Sequence, residues 1–342
     1  MPHSAFTAHL RAVLEDQQTL DRASARDLLA AILGGEADEL QIAAILGGLA
    51  ARGETAAEIA GFVDAMRAVA TPWTKLGDEE RDKLVDTCGT GGDSSGSFNI
   101  STAAALVAAG AGARVAKHGN RAVTSRCGSA DVLEALGIPI QLDGERAAAA
   151  LRRHGFCFLL APAHHPQMKA LMPVRKALRV RTVLHILGPL LNPAGARRQV
   201  MGVYQSRLVP LVAEAMTLLG ARHAMVVHGD GGLDEIALSG PTQIAEVRDG
   251  VVRESLLTPE SMGFERAPLE SLTGGDAATN AAILTALFAG EAGPRRDVVL
   301  LNAAAVLLTA GRAGDMQEGV VLAARAIDSG AVARLVSNLR KE

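Results

Sequence analysis

From about residue 80 onward the chain repeats one local order: a short apolar run, a polar loop, then an alanine-rich segment. KLVDTCG (83–89) passes through a glycine loop into STAAALVAAGAG, and ARVAKHGN (113–120) passes through a second loop into SADVLEALG. HGFCFLLAP (154–162) opens a third round, and RQVMGVY (198–204), a predicted helix over Leu208–Leu219 and HAMVVHG (223–229) continue it. Strands alternating with helices imply an α/β domain with a mostly parallel central sheet flanked by helices on both faces. In such sheets ligands sit beyond the carboxyl ends of the strands, where the polar loops of this chain fall.

Residues 1–70 have a different texture. DRASARDLLAAILGG, ADELQIAAILGGLAARG and TAAEIAGFVDAMRAVA each carry apolar residues at three- and four-residue spacing, which predicts helices. Ser24, Asp38 and Thr55 are the expected starts, and Gly34 and Gly53 the expected stops. TPW at 71–73 breaks the pattern, so a small all-helical N-terminal domain over 1–74 is expected beside an α/β domain over 75–342. The proline-bounded, basic segment 173–193 reads as one or two short helices that could join either unit.

Composition narrows the function classes. With 342 residues, 49% of them apolar, the chain can build a large core without staples. Three cysteines (Cys88, Cys127, Cys157) without C-x-x-C spacing fit a reducing cytoplasm. A net charge of −3 with one Trp and one Tyr gives no reason to expect nucleic acid as a partner. No signal peptide or membrane span is expected, since the apolar stretches are short and broken by Gly or Asn.

Four glycines (89, 91, 92 and 96) fall within eight positions of the first loop, DTCGTGGDSSGSFNIST (86–102). A Walker loop needs a lysine that is absent, and the dinucleotide fingerprint fails because Ser94 takes the third glycine position. Gly92-Asp93-Ser94-Ser95-Gly96 matches a hydrolase elbow, but Gly89-Thr90-Gly91 intervenes before the sharp turn an elbow requires. A backbone nest closed by a helix start remains, with Asn99, Ser101 and Thr102 as donors; a plain tight turn with an N-cap is the bland alternative. Asp93 beside such a nest suits ribose hydroxyls or a metal.

The second loop, KHGNRAVTSRCGSAD (117–131), adds the cations Lys117 and Arg121 and the polar Asn120, Ser125 and Ser129, with Asp131 opening the next helix. A third, HGDGGLDEIALSG (228–240), offers the adjacent carboxylates Asp234 and Glu235, either an exposed acidic turn or a Mg²⁺ site completed by substrate oxygens. His164-His165-Pro166 lacks a third metal ligand at useful spacing and is read as loop packing. No nucleophile–base pair emerges from spacing.

Taken in order, GTGGD, FNIST, KHGNRAVTS, GSADVLEALG, APAHHPQMK, VRKAL-x-VRT, ILGPLLNPAGA and GLDE resemble the anthranilate phosphoribosyltransferase family, as do AARGETAAEIAGFVDAMR and GPRRDVVLLNAAAVLLTAG. The resemblance spans nearly the whole chain. It implies a glycosyltransferase of tryptophan biosynthesis that joins anthranilate to 5-phosphoribosyl 1-pyrophosphate (PRPP), with Mg²⁺, two ions per subunit, and a cytoplasmic homodimer formed through the helical domain. Carried over by position, Gly89, Gly92, Asp93, Ser97, Asn99, Ser101, Thr102, Lys117, His118, Gly119, Asn120, Arg121, Ser125 and Ser129 are implied for PRPP. Gly89, Asn120 and Arg175 are implied for anthranilate, and Ser101, Asp234 and Glu235 for the metal. Arg175 would then draw 173–193 into the helical domain. The chain departs from the family pattern at several positions: Ser97 replaces a more frequent Thr, Arg179 a usual glycine and Leu184-His185 a usual Phe-Asn, and HGDGG differs slightly from HG-x-D-G. A pyrimidine nucleoside phosphorylase of related architecture and a non-catalytic, nucleic-acid-binding relative are the competing readings.

Overall fold

The computed structural model describes residues 5–342 except Pro72, Thr74, Ser94 and 123–125. Four helices open the chain: α1 (Ala5–Leu14), α2 (Arg22–Leu33), α3 (Glu39–Arg52) and α4 (Ala56–Val69). Asp38 and Thr55 cap α3 and α4 as expected, each in a reciprocal capping box. The start of α2 differs from expectation. Asp21, not Ser24, is the N-cap, and its carboxylate accepts the Ser24 backbone N–H at 2.7 Å. Asp21 is an equally good cap one turn further upstream, so the helix starts there and Ser24 is left in its first turn.

Seven strands form one sheet: β1 (Leu84–Thr87), β2 (Arg114–Gly119), β3 (Phe156–Leu160), β4 (Arg198–Gly202), β5 (His223–Gly229), β6 (Thr242–Arg248) and β7 (Val251–Leu257). Their order is β3-β2-β1-β4-β5-β6-β7, parallel from β3 to β5 and antiparallel thereafter. Sequence order reverses between β1 and β4, so a crevice opens beyond their carboxyl ends. The glycine loop leaves β1 at that point.

Side-chain alternation along the strands covers both faces. Val200, Met225 and Val227 point into a core with the helices Ile100–Gly110 and Pro294–Thr309. Their neighbours Met201, Ala224 and Val226 face the helix Leu208–Leu218 and, through it, α1–α4. The helical unit therefore shares a core with the sheet. The segment 173–193 packs into this same core through Val174, Val183, Leu184 and Leu187. It breaks into the helices Met172–Leu178 and Val183–Leu187, separated by Arg179 at φ 52°. A left-handed residue ends the first helix there, which explains why glycine is the usual occupant. Among the described residues no helix is long and apolar enough to cross a membrane.

One buried ion pair ties the helical unit together. Glu58 is fully buried and accepts from Arg52 at 2.5 Å, from the Thr55 N–H at 2.9 Å and from the Leu20 N–H at 2.9 Å. Removing the carboxylate strands a nearly buried guanidinium and two backbone donors, and breaking such pairs costs about 3–5 kcal/mol. Glu58→Ala should lower unfolding stability by that amount in denaturant titration, and a loss below about 1 kcal/mol would contradict the assignment.

Candidate active site

The glycine loop is held by β4 and by the loop after β5. Cys88 N–H and Thr90 N–H extend the β1–β4 pairing by donating to Val200 and Gly202 carbonyls at 3.2 and 2.9 Å. Gly91 and Gly92 then take φ of 66° and 74°, a consecutive left-handed pair that turns the backbone around a concavity. The Gly91 N–H donates to Asp234 Oδ2 at 2.7 Å. A Cβ on Gly89 would lie 2.2 Å from that same oxygen, so only glycine allows the two segments to meet. The glycine loop turns as expected, and a carboxylate occupies its Gly91 donor.

Further along, Ser95 N–H donates to Asp93 at 3.2 Å and Ser95 Oγ bonds Ser97 Oγ at 3.0 Å. Ser97 also bridges to Thr273, and Gly274 N–H donates to the Gly96 carbonyl at 2.9 Å. This second wall, residues 272–275, carried no sequence signal of its own. Asn99 stands at the start of the helix Ile100–Gly110, but its side chain does not cap it; it donates to Cys127 O at 3.2 Å and accepts from Asn280 at 2.9 Å. Thr102 is buried, with its hydroxyl unpartnered among the described residues.

Beneath the loop, Lys117 is buried at the centre of the sheet end. Its ammonium donates to Thr87 O at 2.5 Å and Ser101 Oγ at 3.4 Å. The Ser101 N–H donates to Glu235 Oε1 at 3.1 Å, so Lys117, Ser101, Asp234 and Glu235 form one cluster with Asp93 nearby. Part of each carboxylate remains open to the cleft, while close packing around it removes most hydration. Burial, then the charge of Asp93, raises Asp234 to about 7; burial, then Asp234, pushes Glu235 well above its ordinary value. Asn302 on the helix Pro294–Thr309 clamps the backbone just beyond, exchanging hydrogen bonds with both groups of Ile236. Its type gives no sequence signal, since a buried Asn inside a helix reads as ordinary. No group of three His, Cys, Asp or Glu among the described residues forms a self-sufficient metal centre.

Next to this polar cluster lies a cavity of about 330 Å³. Gly89, Asn120 and Arg175, from three separate segments, all reach its wall, together with His118 and Gly119. Met168, Met172, Leu184 and Pro189 make much of it apolar. Arg175 is half-buried and has no carboxylate partner among the described residues, and burial lowers its pKa. His118 is buried, with Nε2 unpartnered among the described residues and its ring edge-to-face on His165 at 5.5 Å. Burial, then the neighbouring His165, His164 and Lys117, brings it to about 3, so it is a neutral imidazole. His165 bonds the Leu191 carbonyl at 2.7 Å, which fits the packing role expected of the His-His-Pro motif.

The side chains of Arg121 and Ser129 are engaged elsewhere. Arg121 is not a free cation: it pairs with Glu134 at 2.5 and 2.8 Å and with Asp131 at 3.3 Å. Ser129 Oγ donates to the Asn120 carbonyl at 3.3 Å. Asn120 Oδ1 accepts the Arg121 N–H at 2.8 Å, which folds the second loop back on itself. Ser125 lies outside the described residues. Arg181, unremarked in the sequence, spans the cleft: it donates to the Gly92 carbonyl and stacks 4.3 Å over the Tyr204 ring.

A carboxyl whose pKa is raised on folding stabilises the fold fully below its unfolded value, about 3.9, and that contribution is lost as pH rises through its folded value. For Asp234 the window runs from about pH 4 to about 7. Without divalent cations, melting temperature should fall by several degrees between about pH 5 and 8, and Asp234→Asn should flatten that fall. Parallel curves for the two proteins would contradict the assigned shift.

Comparison with known proteins places this geometry. Residues 81–333 match the family model described as "Glycosyl transferase family, a/b domain", and residues 8–70 match "Glycosyl transferase family, helical bundle domain". Anthranilate phosphoribosyltransferase of Caulobacter vibrioides is 52% identical over 94% of this chain and 92% of that protein. The Methanocorpusculum labreanum protein of the same description is 49% identical, with 92% of each chain covered. Among solved structures, anthranilate phosphoribosyltransferase from Thermus thermophilus superposes with a TM-score of 0.90 at 42% identity, covering 97% of this chain and 98% of that one. The Saccharomyces cerevisiae enzyme in complex with PRPP and Mg superposes with a TM-score of 0.87 at 27% identity, covering 99% and 98%.

Proposed function

The chain belongs to the anthranilate phosphoribosyltransferase family, and from that premise we propose how its residues divide the reaction. It transfers the phosphoribosyl group of PRPP to the amine of anthranilate, releasing pyrophosphate, a step of tryptophan biosynthesis. The observation that carries the residue assignment is the pairing of two unlike compartments on either side of Gly89: a carboxylate-rich polar cleft and an apolar cavity with one uncompensated cation.

PRPP takes the cleft. The nest at Gly89, Gly91 and Gly92 receives phosphate oxygens, Asp93 accepts from ribose hydroxyls, and Ser97, Asn99, Ser101 and Thr102 line the path to the helix start. Lys117 supplies buried positive charge. His118, Gly119, Asn120, Arg121, Ser125 and Ser129 complete the second loop, Arg121 through its backbone, because its guanidinium is held by Glu134 and Asp131. Anthranilate takes the cavity, its carboxylate paired with Arg175 and its ring between Gly89 and Asn120.

The donor set fits Mg²⁺. Two desolvated carboxylates with raised pKa values, beside the Ser101 hydroxyl, lack counter-charge beyond Lys117, and hard cations use such sites with substrate oxygens as the remaining ligands. Bound there, the metal neutralises the pyrophosphate leaving group. Ser101, Asp234 and Glu235 would hold it, with two ions per subunit.

The amine nitrogen attacks the ribose C1 as the C1–O bond to pyrophosphate breaks, inverting that carbon and releasing one amine proton to solvent. An arylamine is a weak neutral nucleophile, so positioning by Arg175 and leaving-group neutralisation carry the rate rather than a strong base. A homodimer through α1–α4, a cytoplasmic location and a division into 1–74 with 173–193 against the remainder complete the proposal.

Purified protein mixed with anthranilate, PRPP and Mg²⁺ should consume anthranilate fluorescence, and replacing both Asp234 and Glu235 with Ala should shift the Mg²⁺ dependence of turnover at least tenfold. An unchanged metal profile would remove these two residues from the metal site. Release of free base from pyrimidine nucleosides, in place of the transfer, would favour the phosphorylase reading.

A further inference from the structure

The cavity wall that carries Arg175 has a second polar group. His185 lies in the helix Val183–Leu187, three residues after its N-cap Thr182. Its Nδ1 is 3.3 Å from both the N–H and the carbonyl of Thr182; that carbonyl already accepts the His185 backbone N–H at 3.0 Å, which leaves Nδ1 as the acceptor of the Thr182 N–H. A ring nitrogen that accepts leaves the proton on the other, so Nε2 carries the hydrogen. Nε2 has no partner among the described residues, and the ring is half-buried against the cavity. Burial, then the Arg175 cation, brings His185 to about 4. The imidazole is therefore a neutral donor at neutral pH.

Arg175 and His185 are thus two N–H donors without acceptors on one wall of a largely apolar cavity. A carboxylate has about four acceptor positions, and one guanidinium fork leaves some of them unmet in a site that excludes water. Resting on the reading of this cavity as the acceptor pocket, we propose that His185 donates its Nε2–H to the acceptor's carboxylate beside Arg175, and that the two residues together select an ortho-carboxylated arylamine. A carboxamide in the same place turns an NH₂ group toward two fixed donors and leaves one of them unpaired.

The test compares anthranilate with 2-aminobenzamide in the wild type and in His185→Ala, His185→Asn and Arg175→Ala. A hydrogen bond to a charged group corresponds to about a tenfold or larger change in affinity. His185→Ala should raise KM for anthranilate by about that factor, leave KM for PRPP within about twofold, and narrow the preference for anthranilate over the amide. His185→Asn keeps an N–H donor and an acceptor for Thr182, and should recover most of the loss. An unchanged preference in His185→Ala, with Arg175→Ala collapsing it, would overturn the proposal and leave the acceptor pocket standing. Unchanged preference in both would overturn the proposal together with the pocket reading. In the wild type, anthranilate added with PRPP and Mg²⁺ should move the His185 Nε2–H resonance downfield; a static signal at saturation would overturn the proposal whatever the variants do.

Discussion

The site depends on one close approach at the point where strand order reverses. Residues 233–235 pass between the ends of β1 and β4 with no room for a methyl group on either side. A Cβ on Gly202 would sit 1.5 Å from the Asp234 carbonyl oxygen, and one on Gly89 would sit 2.2 Å from its carboxylate. Packing of this density leaves no soft direction, because displacing either segment moves a strand end. The contact fixes the glycine loop through Gly91, the Asp234 and Glu235 carboxylates through the chain that bears them, and the cavity through Gly89.

Electrostatics follow from that contact. Three carboxylates, Asp93, Asp234 and Glu235, are gathered where hydration is poor, and Lys117 is the buried cation that faces them. Burial and mutual repulsion of these carboxylates push Asp234 and Glu235 above their ordinary values. A divalent cation, as proposed, supplies the positive charge that these carboxylates lack and that an anionic polyphosphate beside them also requires. On the far side of Gly89 the balance is opposite, with Arg175 short of an anion.

Much of this was legible in the sequence, for identifiable reasons. Periodicity marked α2, α3 and α4, and capping chemistry marked the starts of α3 and α4; the start of α2 was displaced because two comparable caps, Asp21 and Ser24, stand three residues apart and the helix begins at the first. Strand–loop–helix alternation predicted the parallel part of the sheet. The β6–β7 hairpin went unread, although Asp249-Gly250, at φ 48° and 81°, is the usual turn signal between two strands of this kind. The cavity was beyond local reading, since Gly89, Asn120 and Arg175 meet only through the tertiary packing of 173–193. The same holds for Arg181 and Asn302, whose partners Gly92 and Ile236 are distant in sequence. Arg121 shows the converse failure: a cation that looked available is neutralised by carboxylates on the helix that follows its loop.

The central claim is that the Gly89–Asp234 approach, rather than any single charged side chain, positions the glycine loop for PRPP. Calorimetric titration of PRPP with Mg²⁺ onto folded Gly89→Ala tests it most directly. The account predicts at least tenfold weaker binding than the wild type, with the helical unit's stability unchanged. Wild-type affinity in that variant would contradict it.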